Sequence, residues 1–223
     1  MISVIIPCWN EAAVIADTIA SARRIADEVI VVDPGSPDGT AVIARQAGAT
    51  VIDAPRGRGS QLAAGAAVAR GDTLLFLHAD AQLPSSARRA IERALADPAV
   101  SGGNFKLRFE PADLWARVFA RLNHERRRWL RIYYGDSGLF VRRDVYAALG
   151  GFRSLPIMED HDFVQRLERA SRTAYITEVE IAVSARRFAA QPLRTLALWT
   201  LIQTLASSGM SPHRLARLYA DIR

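Results

Sequence analysis

The chain has 223 residues, half of them hydrophobic, a net charge of +6 and a single cysteine. This length and composition allow one sizeable core, and one cysteine excludes a disulfide framework and suits a reducing compartment. The excess of basic residues, including the run Arg126-Arg127-Arg128, predicts an anionic partner such as a nucleotide diphosphate or an anionic membrane surface. We expect no nucleic-acid partner, because no recognised DNA- or RNA-binding motif is present.

Two features of the sequence bear on its location. Met1 leads directly into a predicted strand, without the basic region and small-residue cleavage site of a signal peptide. The longest uncharged segment, 195–212, is interrupted by polar residues, and its apolar part is shorter than the roughly 20 residues that cross a bilayer. We therefore expect a cytoplasmic protein, with peripheral contact at the inner membrane face as the alternative.

The first half of the chain alternates predicted strands with predicted helices. Apolar runs predict strands at 2–6, 29–32, 50–53 and 73–77. Helical spacing of apolar residues predicts helices at 12–24, 40–47 and 60–70. Asn10 is the expected cap of the first helix. Repeated strand–helix units with short loops predict a parallel sheet covered by helices on both faces.

The second half has a less regular pattern. Predicted helices cover 85–96, 114–131, 143–149, 160–170, 193–206 and 212–221. Predicted strands cover 103–109, half-exposed, and 138–141, with two short strands within 174–184. We interpret 1–190 as one α/β domain with a mixed sheet. Residues 191–223 form a helical tail that packs on this domain or at an interface, such as that of a homodimer.

Polar loops follow three of the predicted strands. They are Pro7-Cys-Trp-Asn-Glu11, Asp33-Pro-Gly-Ser-Pro-Asp-Gly-Thr40 and His78-Ala-Asp80. Because parallel strands share their carboxyl edge, we expect these loops to converge where α/β sheets bind ligands. Asp33 is placed to accept a hydrogen bond from a base or a sugar hydroxyl, and Asp80 suits a divalent cation with its phosphates. For the loop after the second strand and for Asp80, the alternative is a plain turn.

Further candidates lie in three other places. The loop 55–60 brings Arg58 to the start of a helix, where it predicts an anion site or a flexible loop. Asp136 lies in a short glycine-flanked turn, and Glu159-Asp160 stands at the start of a helix. Asp160 fits either a helix cap or a general base. We interpret Cys8 as a buried structural thiol, since no base can be placed beside it.

Together these stretches resemble the inverting GT-A glycosyltransferases of family 2, over roughly residues 1–185. The motifs that carry the resemblance are Val4-Ile-Ile-Pro-x-x-Asn-Glu11, Val31-Val-Asp-x-Gly-Ser-x-Asp-Gly-Thr40, the triplet ending in Asp80, and Glu159-Asp160. A bacterial subgroup associated with radical SAM and selenodomain proteins, and with arsenosugar biosynthesis, looks closer still. That similarity lies in Arg56-Gly-Arg-Gly59, Leu77-His-Ala-Asp80, Gly135-Asp-Ser-Gly138, Ser184-Ala-Arg-Arg187 and Leu215-Ala-Arg-Leu-Tyr219.

The resemblance implies a GT-A fold, a Rossmann-like mixed sheet flanked by helices, and an enzyme that inverts the anomeric carbon of a UDP- or GDP-sugar. It implies that Asp80 holds Mg²⁺ or Mn²⁺ and that Asp160 is the catalytic base. The nucleotide-binding residues it implies are Pro7, Glu11, Asp33, Arg58 and His78. Those implied for the diphosphate or the acceptor are Glu159, Asp136 and Arg187.

The sequence departs from the family pattern at His78, where an acidic residue is usual, and at Pro34. It also has no histidine between 162 and 212 to serve as a late metal ligand. The diphosphate charge therefore falls either to a cation at Asp80 or to Arg186 and Arg187. Nothing in the sequence identifies the sugar, the nucleotide or the acceptor.

Two other functions stay open. One is transfer to a polyprenyl phosphate at a membrane, for which the apolar tail helix would touch lipid; burial of that helix is the alternative. Its apolar residues are Leu193, Leu196, Leu198, Trp199, Leu201, Ile202 and Leu205. The other is a non-catalytic nucleotide-binding partner protein.

Overall fold

The computed structural model describes residues 1–222, and the side chains of residues 1–219. The strands are β1 Ile2–Pro7, β2 Glu28–Val32, β3 Thr50–Ile52, β4 Thr73–Phe76, β5 Ala81–Gln82, β6 Val100–Glu110, β7 Leu139–Arg142 and β8 Arg172–Ser184. The helices are α1 Ile15–Arg23, α2 Thr40–Gln46, α3 Arg58–Val68, α4 Ala87–Leu95, α5 Leu114–Leu130, α6 Arg143–Ala148, α7 Glu159–Ala170, α8 Arg186–Ala189, α9 Pro192–Ser207 and α10 Pro212–Ile222.

All eight strands join one mixed sheet in the order β3-β2-β1-β4-β7-β6-β8-β5. The first four strands in this order are parallel, as predicted, because helices connect them along the chain. β7 runs antiparallel to both β4 and β6, and β8 pairs parallel with β6. The predicted α/β class with a mixed sheet flanked by helices is therefore confirmed.

The central strands are buried on both faces, because their sequences are continuous apolar runs rather than alternating ones. Val4 and Ile6 of β1 face a core cluster that includes Ile15 and Ile19 of α1. Ile5, on the same strand, faces a second cluster formed with α3 and α7. Both faces of the sheet are thus covered by helices.

Three predictions about local structure are wrong. The segment 174–184 belongs to one strand, β8, whose register against β6 shifts between Phe105 and Lys106, so an irregularity replaces the predicted break. β6 is buried over its first six residues and alternates only near its end. Asn10 does not cap α1: it has φ of 56°, and its backbone amide donates to Ser36 Oγ at 3.0 Å.

The C-terminal helices pack on the sheet domain through aromatic side chains. Trp199 of α9 meets Phe119 and Phe188 edge-on, at ring-centroid distances of 5.4 and 6.4 Å. Ile202 and Leu215 are buried at the same end of the chain. Arg223, the last residue of the predicted tail, lies outside the described residues. Within residues 1–222, no helix is long and apolar enough to cross a membrane.

Candidate active site

A cavity of about 1000 Å³ opens at the carboxyl edge of β1 and β4 and extends to α5, α8 and α9. Most of the predicted site residues line it, although they come from distant parts of the chain. The predicted residues that line it are Glu11, Arg58, His78, Asp136, Glu159, Asp160 and Arg187. Pro7, Asp33 and Asp80 do not line the cavity, and all three are buried.

The loops after β1 and β2 are tied to each other beside the cavity, which Glu11 of the first loop lines. Besides the bond from Asn10 to Ser36, the amide of Glu11 donates to Thr40 Oγ1 at 2.9 Å. The side-chain amide of Gln61, on α3, donates to the carbonyl oxygens of Cys8 and Val32 at the ends of both strands, each at 2.9 Å. These loops therefore form a fixed edge that a nucleotide could meet without ordering it first.

Asp33 has one oxygen committed to the loop and one without a partner. Its Oδ1 accepts from the amide of Ser36 at 2.8 Å. Its Oδ2 is buried and has no hydrogen-bond partner among residues 1–222. A buried unpaired carboxylate oxygen is costly, which is what the predicted contact with a base or sugar would relieve.

Cys8 is buried beside the loop after β2, with its Sγ 3.6 Å from the carbonyl oxygen of Val32. Burial, with smaller contributions from nearby carboxylates such as Asp33, raises the pKa of Cys8 to about 12. A thiol with such a pKa is a poor nucleophile at neutral pH. This environment agrees with the interpretation of Cys8 as a structural thiol.

The inner cluster, formed by Arg58, His78, Glu159 and Asp160, lies at the α7 end of the cavity. Arg58 Nε donates to Glu159 Oε1, and its Nη2 donates to Asp160 Oδ2 at 3.0 Å. Its Nη1 lies 3.3 Å from His78 Nε2. The backbone amide of Gly135 also donates to Asp160 Oδ2, at 3.1 Å. Arg58 thus links the start of α3 to the start of α7.

This arrangement tests the interpretation of Asp160 as a helix cap. Helix α7 begins at Glu159, Met158 is its cap residue, and no side chain caps it. Asp160 therefore does not cap the helix: its Oδ1 accepts from the amide of His161, at 2.8 Å, while Oδ2 is held by Arg58 and Gly135. Asp160 is fixed in orientation and borders the cavity.

Burial controls the ionisation of the groups around Asp160. It raises the pKa of Glu159, against the opposing effect of the Arg58 guanidinium, and it raises the pKa of Asp136. Burial, reinforced by Arg58 and Arg187, holds the pKa of His78 well below its usual range. A neutral His78 imidazole can accept a hydrogen bond from Arg58 at Nε2.

The outer cluster, formed by Glu11, Asp80 and Arg186, lies at the end of β1 and β4. Arg186 Nη2 donates to both carboxylate oxygens of Glu11, at 2.8 and 2.6 Å, and lies 3.2 Å from Asp80 Oδ2. The side chain of Arg186 is 44% exposed, whereas that of Asp80 is 3% exposed. Arg186 therefore separates the Asp80 carboxylate from the cavity.

The donor set at Asp80 fits a divalent cation that is completed by substrate. Both Asp80 oxygens are buried, and neither accepts a hydrogen bond within the described chain. Among the same residues, no group of three His, Cys, Asp or Glu side chains could hold a metal. Mg²⁺ is commonly held by one or two carboxylates together with substrate phosphates. Asp80 meets that requirement, but the side chains do not form a closed metal cage.

Several residues that line the cavity from α5 and α9 were not predicted from the sequence. Arg126 lies with its guanidinium carbon 4.5 Å from the ring centre of Tyr134. Gln203 of α9 lies 3.3 Å from His161 Nε2, so the tail helix reaches the neighbour of Asp160. The basic run 126–128 predicted that Arg126 carries charge near an anionic partner, but not that it lines this cavity. Gln203 was noted only as a polar residue that interrupts the apolar helix.

Comparison with known sequences identifies the family. The sequence matches glycosyl transferase family 2 over residues 3–153, which is more than half of the chain. The chain therefore belongs to this family, whose members are glycosyltransferases, and the family named from the motifs is confirmed.

Two curated relatives match parts of the chain. An uncharacterised glycosyltransferase of Rickettsia bellii is 40% identical over 96 residues, covering 43% of this chain and 33% of that protein. The undecaprenyl-phosphate 4-deoxy-4-formamido-L-arabinose transferase of Aeromonas hydrophila is 28% identical over 159 residues, covering 64% of this chain and 48% of that protein. The matches thus span about a third to a half of these curated relatives.

A solved structure supports the fold. Glucosyl-3-phosphoglycerate synthase from Mycobacterium tuberculosis, in complex with Mn²⁺, UDP and phosphoglyceric acid, superposes with a TM-score of 0.66 at 21% identity. The superposition covers 94% of this chain and 79% of that one. The predicted GT-A fold is confirmed.

Proposed function

We propose that this protein is an inverting glycosyltransferase that moves a sugar from a nucleotide-diphosphate sugar to an acceptor hydroxyl. The observation that carries the proposal is the Asp160 carboxylate, which Arg58 and Gly135 hold in place at the cavity wall, with the buried Asp80 carboxylate 3.2 Å from Arg186. Family membership makes sugar transfer the expected reaction class. The subgroup associated with radical SAM proteins and arsenosugar biosynthesis remains part of this proposal.

The proposed reaction is a single displacement. The acceptor oxygen attacks the anomeric carbon from the side opposite the diphosphate, while Asp160 takes the hydroxyl proton. The bond from that carbon to the diphosphate oxygen breaks, and the electron pair leaves with the diphosphate. Arg58 keeps Asp160 in place through its Nη2, so that the base needs no reorientation during the step.

The leaving diphosphate requires positive charge. Arg187 is exposed, lines the cavity, and has no hydrogen bond or ion pair within the described part of the chain, so it is available for phosphate oxygens. We propose that Asp80 holds Mg²⁺ or Mn²⁺ and that Arg186 moves from Asp80 to the diphosphate when the donor binds. A divalent cation there supplies charge stabilisation to the leaving group.

The donor is proposed to be a UDP- or GDP-sugar. The synthase similar in structure binds UDP with Mn²⁺, which favours UDP as the first nucleotide to test. We propose that Pro7, Glu11 and Asp33 meet the nucleoside at the edge formed by the two tied loops. Glu159 and Asp136 are proposed to face the diphosphate or the acceptor, and both border the cavity.

The variant Asp160→Asn tests the proposed base. Asn preserves the shape and can still accept from Arg58, but it cannot take a proton, so we expect the rate of transfer to fall by about 10²–10⁴-fold. Nucleotide binding, measured by calorimetry, should stay as in the wild type. Asp162→Asn is the matched control, because Asp162 lies on the same helix but pairs with Arg153 and Arg166. Full activity of Asp160→Asn would contradict the proposal.

A second candidate is transfer to a polyprenyl phosphate. It is favoured by the similarity to the undecaprenyl-phosphate transferase of Aeromonas hydrophila. Assays with a soluble sugar acceptor and with undecaprenyl phosphate, using the same donor, distinguish the two acceptors. The non-catalytic alternative predicts nucleotide binding without turnover under either condition.

A further inference from the structure

Helix α5 presents an unusual concentration of large apolar side chains to solvent. In the part of the chain that the structure describes, the large apolar residues that are exposed on α5 are Leu114 (64%), Leu122 (45%), Trp129 (71%) and Leu130 (64%). α9 has two such residues, Leu193 and Leu201. Isolated exposed apolar residues need no explanation, but several on one helix mark an interaction surface.

The spacing of these residues gives α5 an amphipathic outer surface. With about 100° per residue, Leu114, Leu122 and Trp129 fall within a sector of about 80°. The exposed arginines of the helix fall in an adjacent sector of about 40°. They are Arg117, Arg121 and Arg128. We call these six residues the outer face of α5.

The charge on this helix is almost entirely positive. Glu125 is its only acidic residue and falls within the sector of the apolar side chains, where it pairs with Arg121 at 2.7 Å and accepts from Trp129 Nε1 at 3.0 Å, so that an arginine of the outer face neutralises its charge. Arg128 lies over the Trp129 ring, 5.2 Å from its centre. A tryptophan beside arginines and leucines matches the composition of helices that lie in the interface of an anionic membrane.

Other occupants fit the outer face less well. A second copy of this chain, related by a twofold axis, would bring two arginine rows together, and like charges repel across an interface. Nucleic acid would meet the arginines but leave Leu122 and Trp129 without a partner. The apolar tail helix does not compete for this role, since its Trp199 packs against Phe119 and Phe188.

We propose that the outer face of α5 is a binding surface for an anionic lipid bilayer. The leucines and Trp129 enter the boundary between head groups and acyl chains, and the arginines pair with lipid phosphates. The same helix contributes Asn123 and Arg126 to the wall of the cavity. Membrane attachment through α5 therefore places the cavity close to the lipid surface, whichever acceptor the enzyme uses.

Sedimentation with vesicles tests this surface. The probes are vesicles of phosphatidylcholine alone and of phosphatidylcholine mixed with phosphatidylglycerol, at low salt. We expect the wild type to sediment with the anionic vesicles and only weakly with the neutral ones. The affinity of the double variant Leu122→Ser/Trp129→Ser for the anionic vesicles should fall by about tenfold or more, because apolar contact area is lost. Arg121→Gln/Arg128→Gln should lose about fivefold for each arginine.

Leu193→Ser/Leu201→Ser is the matched control, since it removes two exposed leucines from α9 and should leave binding unchanged. All the substituted side chains are exposed, and circular dichroism checks the fold of each variant. Absence of vesicle binding by the wild type would overturn the proposal, as would equal binding by the α5 variants. Light scattering that shows a dimer dissociated by Trp129→Ser would assign the surface to a second copy instead. Nucleotide binding is measured in parallel, so that failure of the lipid proposal remains distinct from failure of the proposed activity.

Discussion

The two arginine clusters of the cavity differ in how firmly the structure holds them. In the inner cluster, Arg58 contacts Glu159, Asp160 and His78, and both carboxylate side chains are 3% exposed. In the outer cluster, Arg186 donates to Glu11 but meets the equally buried Asp80 in an ion pair without a well-aligned hydrogen bond. The two arginines are similarly exposed, 36% for Arg58 and 44% for Arg186, so the clusters differ in the bonds that each arginine makes. We therefore propose that the same residue type serves as a permanent support in the inner cluster and as an exchangeable cation in the outer one.

The difference follows from desolvation. Two adjacent buried carboxylates need a counter-charge to offset their desolvation and mutual repulsion. Removal of Arg58 would therefore destabilise the inner cluster. Asp80 also needs a counter-charge, but Arg186 makes no aligned hydrogen bond with it and can keep its bonds to Glu11 when another cation takes its place at Asp80. The inner cluster is thus suited to orienting a base, and the outer cluster to exchanging one cation for another when substrate arrives.

Arg58→Met should have the largest effect. It removes the counter-charge of Glu159 and Asp160, and we expect the free energy of unfolding to fall by about 2–4 kcal/mol, less than for a fully buried pair because Arg58 is 36% exposed. Urea unfolding measures this loss. Arg88→Met is the control: Arg88 pairs with Asp27 and Glu92 at the surface, and its loss should cost about 1 kcal/mol or less. Equal losses for both variants would remove the distinction between the clusters.

Arg186→Gln should have an intermediate effect, on cation binding. In the free protein Arg186 competes with a divalent cation for Asp80, so its removal should raise the affinity for Mn²⁺ without nucleotide by about tenfold. Electron paramagnetic resonance of free Mn²⁺ measures this affinity. Arg187→Gln should leave it unchanged, because Arg187 makes no ion pair with Asp80 in the described chain. Unchanged Mn²⁺ affinity in Arg186→Gln would show that Arg186 does not occupy the cation position.

The smallest expected effect concerns pH and His161, which joins the inner cluster to α9 through Gln203. Burial lowers the pKa of His161 from 6.5, so the unfolded chain binds a proton below that pH while the folded one resists it. The contribution of neutral His161 to the free energy of unfolding is therefore complete above pH 6.5. It is lost as the pH falls, by at most about 1.4 kcal/mol per pH unit. The raised pKa values of Glu159 and Asp136 make the folded protein gain stability as the pH falls, which is the opposite effect. Both groups are present in the wild type and in the variants, so their contribution cancels in the comparison.

His161→Gln should therefore lose less stability than the wild type between about pH 6.5 and 5. The control is His213→Gln, whose side chain is exposed on α10. Urea unfolding at several pH values gives the slopes. Identical slopes for the wild type and both variants would mean that His161 is not held neutral by its contacts.

Much of the first half of the chain was predictable from the sequence, because its signals are local. Apolar runs predicted β1, β2 and β4, and each is followed within a few residues by its polar loop. The two arginine clusters were not predictable, because Arg58 and Asp160 are 102 residues apart and Glu11 and Arg186 are 175 apart. Residue patterns suggested Arg58 for phosphate, whereas the structure gives it two carboxylate partners.

Other errors have similar causes. The apparent break within β8 reflects a change of register against β6, which no sequence pattern reports. Asn10 has the residue type of a helix cap, but a bond to the next loop holds it outside α1. The roles assigned to individual site residues, and the division of the chain at residue 190, stay predictions.

The most direct test of the central claim is calorimetric titration of UDP, GDP, dTDP, CDP and ADP into the purified protein, with Mn²⁺ and then with EDTA. We predict that one of them, with UDP favoured, binds with Mn²⁺ and that its binding weakens strongly in EDTA and in Asp80→Asn. Tight binding that persists in EDTA would assign the diphosphate to arginines such as Arg186 and Arg187 and remove the metal from the account. A folded protein that binds none of these nucleotides would contradict the proposal that it uses a nucleotide-sugar donor.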